Sequence, residues 1–261
     1  MDPALESSWE SFASLCVDFY AAGVEAERVL STDWFAAMSR TSSAELNVCG
    51  LSPEASDTSA SDLARVLGPD QPSIVFTSEH VLPASRRVLS DVGFITGDIS
   101  EPLMRCRDRP EVVASTFTVS RCETDQDLAI ALSLTSEAHT VDVDLLNASI
   151  GHAARFGAAQ VWLAYDGEQP VSTVWICRSG STIGVMEMMT PKEFQGRGAG
   201  RAVLTTALAA TWTTAPSQAL LLATPAGRPL YESVGFESID ECLTCYRGLE
   251  DSVLEAIGQV P

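Results

Sequence analysis

Lysine is almost missing from this chain. Lys192 is the only one, and arginine supplies the rest of 16 basic residues set against 35 acidic ones. The formal net charge of −19 argues against nucleic acid and anionic membrane as main partners, because both bind through clustered cations. Long apolar runs are missing too. None approaches the ~20 residues of a membrane span. The opening residues, MDPALESSWESF, lack the basic and apolar segments of a secretion signal, so a cytoplasmic protein is expected. The seven cysteines are odd in number and scattered, which points to reduced, buried thiols. Cys242-Leu-Thr-Cys245 is a single C-x-x-C with no second pair and no histidine beside it, so no metal site is expected.

What the chain does have is apolar material, 46% of 261 residues, enough for the cores of two domains. Its most informative stretch runs from Val185 to Ala210. An apolar strand, Val185 to Met189, ends at Thr190-Pro191. A turn rich in glycine follows, Gln195-Gly196-Arg197-Gly198-Ala199-Gly200, and then a helical pattern with Val203, Leu204 and Leu208 on one face. Strand, glycine turn and helix make an anion site. The first amides of a helix lack internal partners, and glycine lets backbone approach a phosphate closely. Lys192, Arg197 and Arg201 place positive charge there in an otherwise acidic chain. No Gly-Lys-Ser/Thr follows, so this is not a P-loop, and the spacing is not that of the dinucleotide fingerprint.

The pattern Gln/Arg-x-x-Gly-x-Gly/Ala after an apolar strand resembles the acetyl-CoA signature of the GNAT acetyltransferases. A second segment, LLLATPAGRPLYESVGFE from Leu220 to Glu237, resembles the family's Leu-Tyr-x-x-x-Gly-Phe segment. The resemblance implies a mixed-sheet α/β (α+β) fold and acetyl-CoA as cofactor. It puts the pyrophosphate on Gln195, Gly196, Arg197, Gly198, Ala199, Gly200 and Arg201, and the pantetheine arm along Met188, Met189 and Thr190. The strand Met186 to Met189 should splay from its neighbour, leaving an amide near Met188 to polarise the thioester carbonyl. The family's tyrosine falls on Tyr231, as acid for the leaving thiolate or as packing against the cofactor. Glu187 is the candidate general base, or else a solvated strand residue; alternation sets it on the face opposite Met186 and Met188. His139 and His152 fall near the helices that frame the acceptor and read as surface residues. Trp162, Trp175 and Met186 are candidate cleft or core residues.

The chain also repeats itself. Ala84 to Phe94 matches Ala226 to Phe236 at one offset, with alanine, arginine, valine, glycine and phenylalanine identical. Upstream, Leu51-Ser-Pro-Glu-Ala55 lies over Met189-Thr-Pro-Lys-Glu193. A period of ~140 residues indicates duplicated domains rather than a solenoid. With 52–62 read as a loop, Asp57 to Asp62 fall opposite Gln195 to Gly200 and bring aspartates in place of glycines; Leu89 falls opposite Tyr231. The expected organisation is a degenerate GNAT-like domain at 1–112 and an acetyl-CoA-binding catalytic domain at 113–261. In the second, helices are expected at 125–139, 143–156, 198–213 and 226–234. The expected activity is transfer of an acetyl group to a primary amine of a small molecule. Transfer of another acyl group from CoA or a carrier protein, and a non-catalytic CoA-binding sensor or scaffold, remain open alternatives, as does a homodimer.

Overall fold

The computed structural model describes residues 3–212 and 218–249. In chain order the first elements are α1 (Pro3–Tyr20), β1 (Glu27–Leu30), β2 (Trp34–Met38), β3 (Asn47–Leu51), α2 (Asp57–Leu67), β4 (Ser73–Ser78), α3 (Pro83–Asp91) and β5 (Ile95–Cys106). Then come β6 (Thr118–Arg121), α4 (Asp125–His139), α5 (Val143–Ala148), α6 (Ile150–Arg155), β7 (Ala159–Asp166), β8 (Gln169–Ser179) and β9 (Thr182–Met189). The last are α7 (Ala199–Thr211), β10 (Gln218–Leu222), α8 (Arg228–Glu232) and β11 (Glu237–Arg247). Among the described residues no helix is long and apolar enough to cross a membrane.

The chain forms two compact units, residues 1–103 with 238–261 and residues 104–237. The division therefore falls earlier than the expected one at residue 112, and the C-terminal strand does not stay with the second unit. β11 pairs antiparallel with β4, Cys242 opposite Ser78 through Arg247 opposite Ser73. Periodicity along β11 could not reveal that partner, because any strand edge of matching pattern would serve.

In the first unit the strand order is β1-β2-β3-β4-β11-β5. α2 and α3 bury Ala60, Leu63, Leu67 and Leu89 against Ala36, Met38, Cys49, Leu51 and Val75. Each fully buried leucine there is worth roughly 1.5–3 kcal/mol. α1 packs Phe12 edge-on to Phe35, centroids 6.3 Å apart. α2 begins at Asp57, within the stretch expected as a loop. Ser56 caps it by accepting from the Ser59 amide, and the Ser59 side chain answers the Ser56 amide. A run of serines reads as loop by composition, yet serine is also the preferred first residue of a helix.

The second unit has the order β10-β9-β8-β7-β6. β6 to β9 are antiparallel neighbours, and β9 and β10 run parallel. α7 lays Ala199, Val203, Leu204, Ala207 and Leu208 on Val174, Ile176, Ile183 and Val185. α4 covers the other face, where the fully buried Trp175 donates from Nε1 to Thr135 Oγ1 at 3.3 Å. The helix expected over 143–156 breaks at Ser149, whose φ of −104° and ψ of −93° are not helical. The helix expected over 226–234 is the shorter α8. Thr213, expected at the end of α7, lies outside the described residues.

Candidate active site

The site is built on β9. Its register against β8 runs Thr173–Met189, Val174–Met188, Trp175–Glu187, then Ile176–Val185. Met186 is skipped, so β9 carries a bulge there. One extra residue reverses the alternation. Val185 and Met188 both pack toward α7, with Met188 against the core only in part, while Glu187 opposes Trp175 on the α4 face. Simple alternation from Val185 would have driven Glu187 into the core beneath α7.

On its other side β9 pairs with β10 only from Thr182–Gln218 to Gly184–Leu220. From Val185 onward the ladder to β10 is finished, which is the splay that the resemblance implied. Ser172 Oγ donates to the Met189 carbonyl at 2.8 Å, and its oxygen lies 2.8 Å from Thr190 Oγ1, fixing the strand end.

The turn after β9 uses its glycines for conformation. Gly196 and Gly198 have φ of +73° and +93°, and a Cβ at either would meet open space. Those backbones need glycine for their dihedrals. Gly200 is a matter of contact instead. A Cβ there would lie 3.0 Å from Met188 Cε and 3.2 Å from Thr190 Oγ1, so β9 and the first turn of α7 touch at that residue. No side chain caps α7. Its first internal hydrogen bond runs from the Ala202 amide to the Gly198 carbonyl, at 3.0 Å. The amides of Ala199, Gly200 and Arg201 therefore face outward with the positive end of the helix dipole.

Two expected pyrophosphate residues have other partners. Gln195 Nε2 donates to the Thr190 carbonyl at 2.9 Å and closes the loop. Arg197 is paired with Asp166 at 2.5 Å, its guanidinium above the Phe194 and Phe117 rings at 5.4 and 6.0 Å. Lys192 and Arg201 are exposed on the same loop and helix.

The α4 face holds a pair that the sequence did not suggest. His139, the last residue of α4, has Nε2 2.9 Å from Glu187 Oε2. Glu187 is largely covered, at 14% side-chain exposure, and His139 is open to solvent at 36%. Forty-odd intervening residues hide such a pair from any local pattern. Of the other expected acceptor-side residues, Trp162 packs against the α7 core and Trp175 is fully buried. His152 stacks on Phe156 at 5.4 Å. Asp142 is spent as the cap of α5, accepting from the Asp144 and Leu145 amides.

Tyr231 comes from α8, edge-on to Phe236 with centroids 6.0 Å apart. Burial, with the Glu187 charge second, holds its phenol well above the usual tyrosine range. It stays protonated throughout the neutral range. The group is a hydrogen-bond donor to developing negative charge before it is a proton source.

The first unit has a counterpart to this turn without its opening. The loop from Ser52 to Ser56 is shorter than that from Thr190 to Gly198, so with the helix starts superposed Asp57 falls opposite Ala199. The aspartates do not stand in the glycine turn; the turn itself is gone. Ser56 and Ser59 close the first amides of α2 on each other, and Asp57 Oδ1 accepts from Ser85 Oγ at 2.7 Å.

The bulged and splayed strand, the glycine turn and the uncapped helix meet at the end of β9 in the second unit. Residues 157–238 match the family model of an acetyltransferase (GNAT) domain, and the chain carries that domain in its second unit. Its fold is that of two GNAT-like units in tandem. A GCN5-related N-acetyltransferase from Kribbella flavida superposes with a TM-score of 0.66 at 14% identity, covering 92% of this chain and 95% of that one. An acetyltransferase of the GNAT family from Novosphingobium aromaticivorans gives 0.55 at 16% identity, over 92% and 97%. A tandem GNAT protein from the clavulanic acid biosynthesis pathway gives 0.55 at 11% identity, over 96% and 97%. No curated protein sequence matches the chain.

Proposed function

We propose that the second unit transfers an acetyl group from acetyl-CoA to a primary amine of a small molecule, and that the first unit has lost cofactor binding. The observation that carries this reading is the uncapped start of α7 behind a two-glycine turn, beside a strand that has parted from its neighbour. The outward amides of Ala199, Gly200 and Arg201 suit a pyrophosphate. The edge of β9 that has parted from β10, from Val185 to Met189, suits the amides of a pantetheine arm, with the backbone near Met188 as donor to the thioester oxygen.

In this reading the amine nitrogen attacks the thioester carbonyl directly and the C–S bond breaks. Glu187 takes the proton from the incoming ammonium, with His139 beside it on the solvent side. Tyr231 donates its hydrogen bond to the departing sulfur, which leaves as a thiol by taking the second proton that the attacking nitrogen sheds. A covalent acyl-enzyme is not needed, and no nucleophilic thiol is called for: Cys177 is buried in β8. Purified protein given acetyl-CoA and a panel of amines should release free thiol in step with acetylated product. Thiol release without amine dependence, or none with any amine despite CoA binding, would favour the sensor or scaffold reading.

A further inference from the structure

Acetyl transfer to a cationic amine leaves a proton to dispose of in every turnover. Of the ammonium's hydrogens, one stays as the amide N–H, one goes to the departing sulfur, and the last must reach solvent. In the reading above that last proton sits on Glu187. The Glu187 side chain is largely covered, at 14% exposure. Opposite it on β8 stands the fully buried Trp175, whose Nε1 donates to Thr135 Oγ1. Tyr231 is no exit either, because burial and then the Glu187 charge hold its own proton in place.

His139 reaches both sides. Its Nε2 lies 2.9 Å from Glu187 Oε2, and its side chain is 36% exposed. One ring therefore touches the covered carboxylate and the solvent together. The chain holds it there by an unusual turn. His139 ends α4, and Thr140 behind it has a left-handed backbone, with φ of +56°. That conformation is rare for a β-branched residue, and such outliers gather where a side chain has to be aimed. Ser136 Oγ donates across the turn to the Val141 carbonyl at 2.7 Å. The nearest carboxylate of α5, Asp142, is turned to the Asp144 and Leu145 amides as their cap. Imidazole suits a carrier's task, since it gains and loses a proton near neutral pH and has a nitrogen for each side.

We propose that His139 is the proton exit of the second unit, a positioning residue that acts through Glu187. The inference rests on the acetyl-transfer reading given above. The Glu187 carboxyl O–H bond breaks, and His139 Nε2 gains the proton as the ring becomes imidazolium. The imidazolium then loses one proton to water or buffer from its open side, and exchange with water restores the starting tautomer. Glu187 is left as a carboxylate, ready for the next ammonium. Nothing is oxidised or reduced, and the released proton balances the charge of the ammonium that entered.

Chemical rescue tests this on the full chain. Acetyl-CoA is supplied with butylamine, phenethylamine, diaminobutane or glucosamine, and the fastest of these serves as acceptor. The product amide is read by mass spectrometry, because free imidazole itself takes acetyl groups slowly from thioesters. His139→Ala should lower kcat roughly tenfold and leave the KM for acetyl-CoA unchanged; this is less than the ~10²–10⁴-fold of a group on the reacting atoms, since water can still take the proton slowly. Added imidazole should restore the rate saturably, because the vacated place opens to solvent. His139→Gln can hydrogen-bond to Glu187 but carries no proton, so it should stay as slow as His139→Ala. Parent-like turnover in His139→Ala, recovery in His139→Gln, or no rescue by imidazole overturns the proposal while the acetyl-transfer reading stands. No turnover of any of these amines by the parent chain would strike that reading first, and this inference with it.

Discussion

Leu89 and Tyr231 occupy the same position in two copies of one turn. Each carbonyl accepts from the amide of the phenylalanine five residues on, Phe94 at 3.0 Å and Phe236 at 3.1 Å. Each also accepts from the valine between, Val92 at 3.2 Å and Val234 at 3.0 Å. The following glycines, Gly93 and Gly235, have φ of +92° and +102°. The backbone is thus duplicated and the side chain is not. One copy has a fully buried leucine, the other a phenol beside Glu187.

That pairing separates fold from chemistry at Tyr231. Tyr231→Leu should fold, since the same turn already accommodates leucine in the first unit. Tyr231→Phe keeps the ring and its edge-on contact with Phe236. Both should bind acetyl-CoA nearly as well as the parent, and both should lose about 10²-fold in turnover, the lower end of the range for a positioned acid. Unchanged turnover in Tyr231→Phe would make the residue a packing group.

Gly198 and Gly200 should respond differently to the same change. At Gly198 alanine meets no neighbour but must hold a left-handed backbone, which costs roughly 1–2 kcal/mol. At Gly200 the backbone is helical and the methyl presses on Met188 Cε and Thr190 Oγ1. Gly198→Ala should lower thermal stability with modest loss of cofactor affinity. Gly200→Ala should spare stability more and reduce turnover, because Met188 must move. Gly198→Asp adds charge at the phosphate position and should abolish binding.

Arg197 and Asp166 give a prediction opposite to intuition about a basic loop. The pair is half exposed, 48% and 44%, and such surface pairs contribute about 0–1 kcal/mol. Arg197→Ala should therefore cost little in CoA affinity, since the guanidinium is held by a carboxylate. Asp166→Asn should free it and tighten CoA binding, more at low salt than at high. Calorimetry on both variants decides; a large loss in Arg197→Ala with no gain in Asp166→Asn would mean that Arg197 leaves its partner for the phosphate.

Much of this architecture was legible in the residues. The strand, glycine turn and helix, and the repeated Val-Gly-Phe turn, follow from local rules of backbone freedom and apolar spacing. What was hidden depends on long-range pairing. The bulge at Met186 is set by the ladder to β8 and decides which face Glu187 takes. The Glu187–His139 contact joins a strand to a distant helix end. β11 pairs with β4, a choice made by sheet edges and not by its own pattern. The onset of α2 was obscured for another reason: serines favour loops and helix caps alike, and only the paired side-chain bonds of Ser56 and Ser59 distinguish them.

Alkaline pH should weaken the fold. Burial raises the Cys49 and Cys122 thiols from 9.0 to about 12. Between those values the folded chain keeps protons that the unfolded chain has lost, so stability falls as pH rises through the window. Urea midpoints should be flat near neutrality and drop from about pH 9 upward. Cys122→Ala should flatten part of the drop; an unchanged slope would assign it to other groups.

In the proposed reading the chain has one intact anion site, at the start of α7, and one closed one, at the start of α2. Calorimetric titration of the full chain with coenzyme A reads this directly. A single site per chain is expected, eliminated by Gly198→Asp and unaffected by Ser56→Ala, which unseals α2 without restoring its missing turn. Two equivalent sites per chain, or parent affinity in Gly198→Asp, would contradict it.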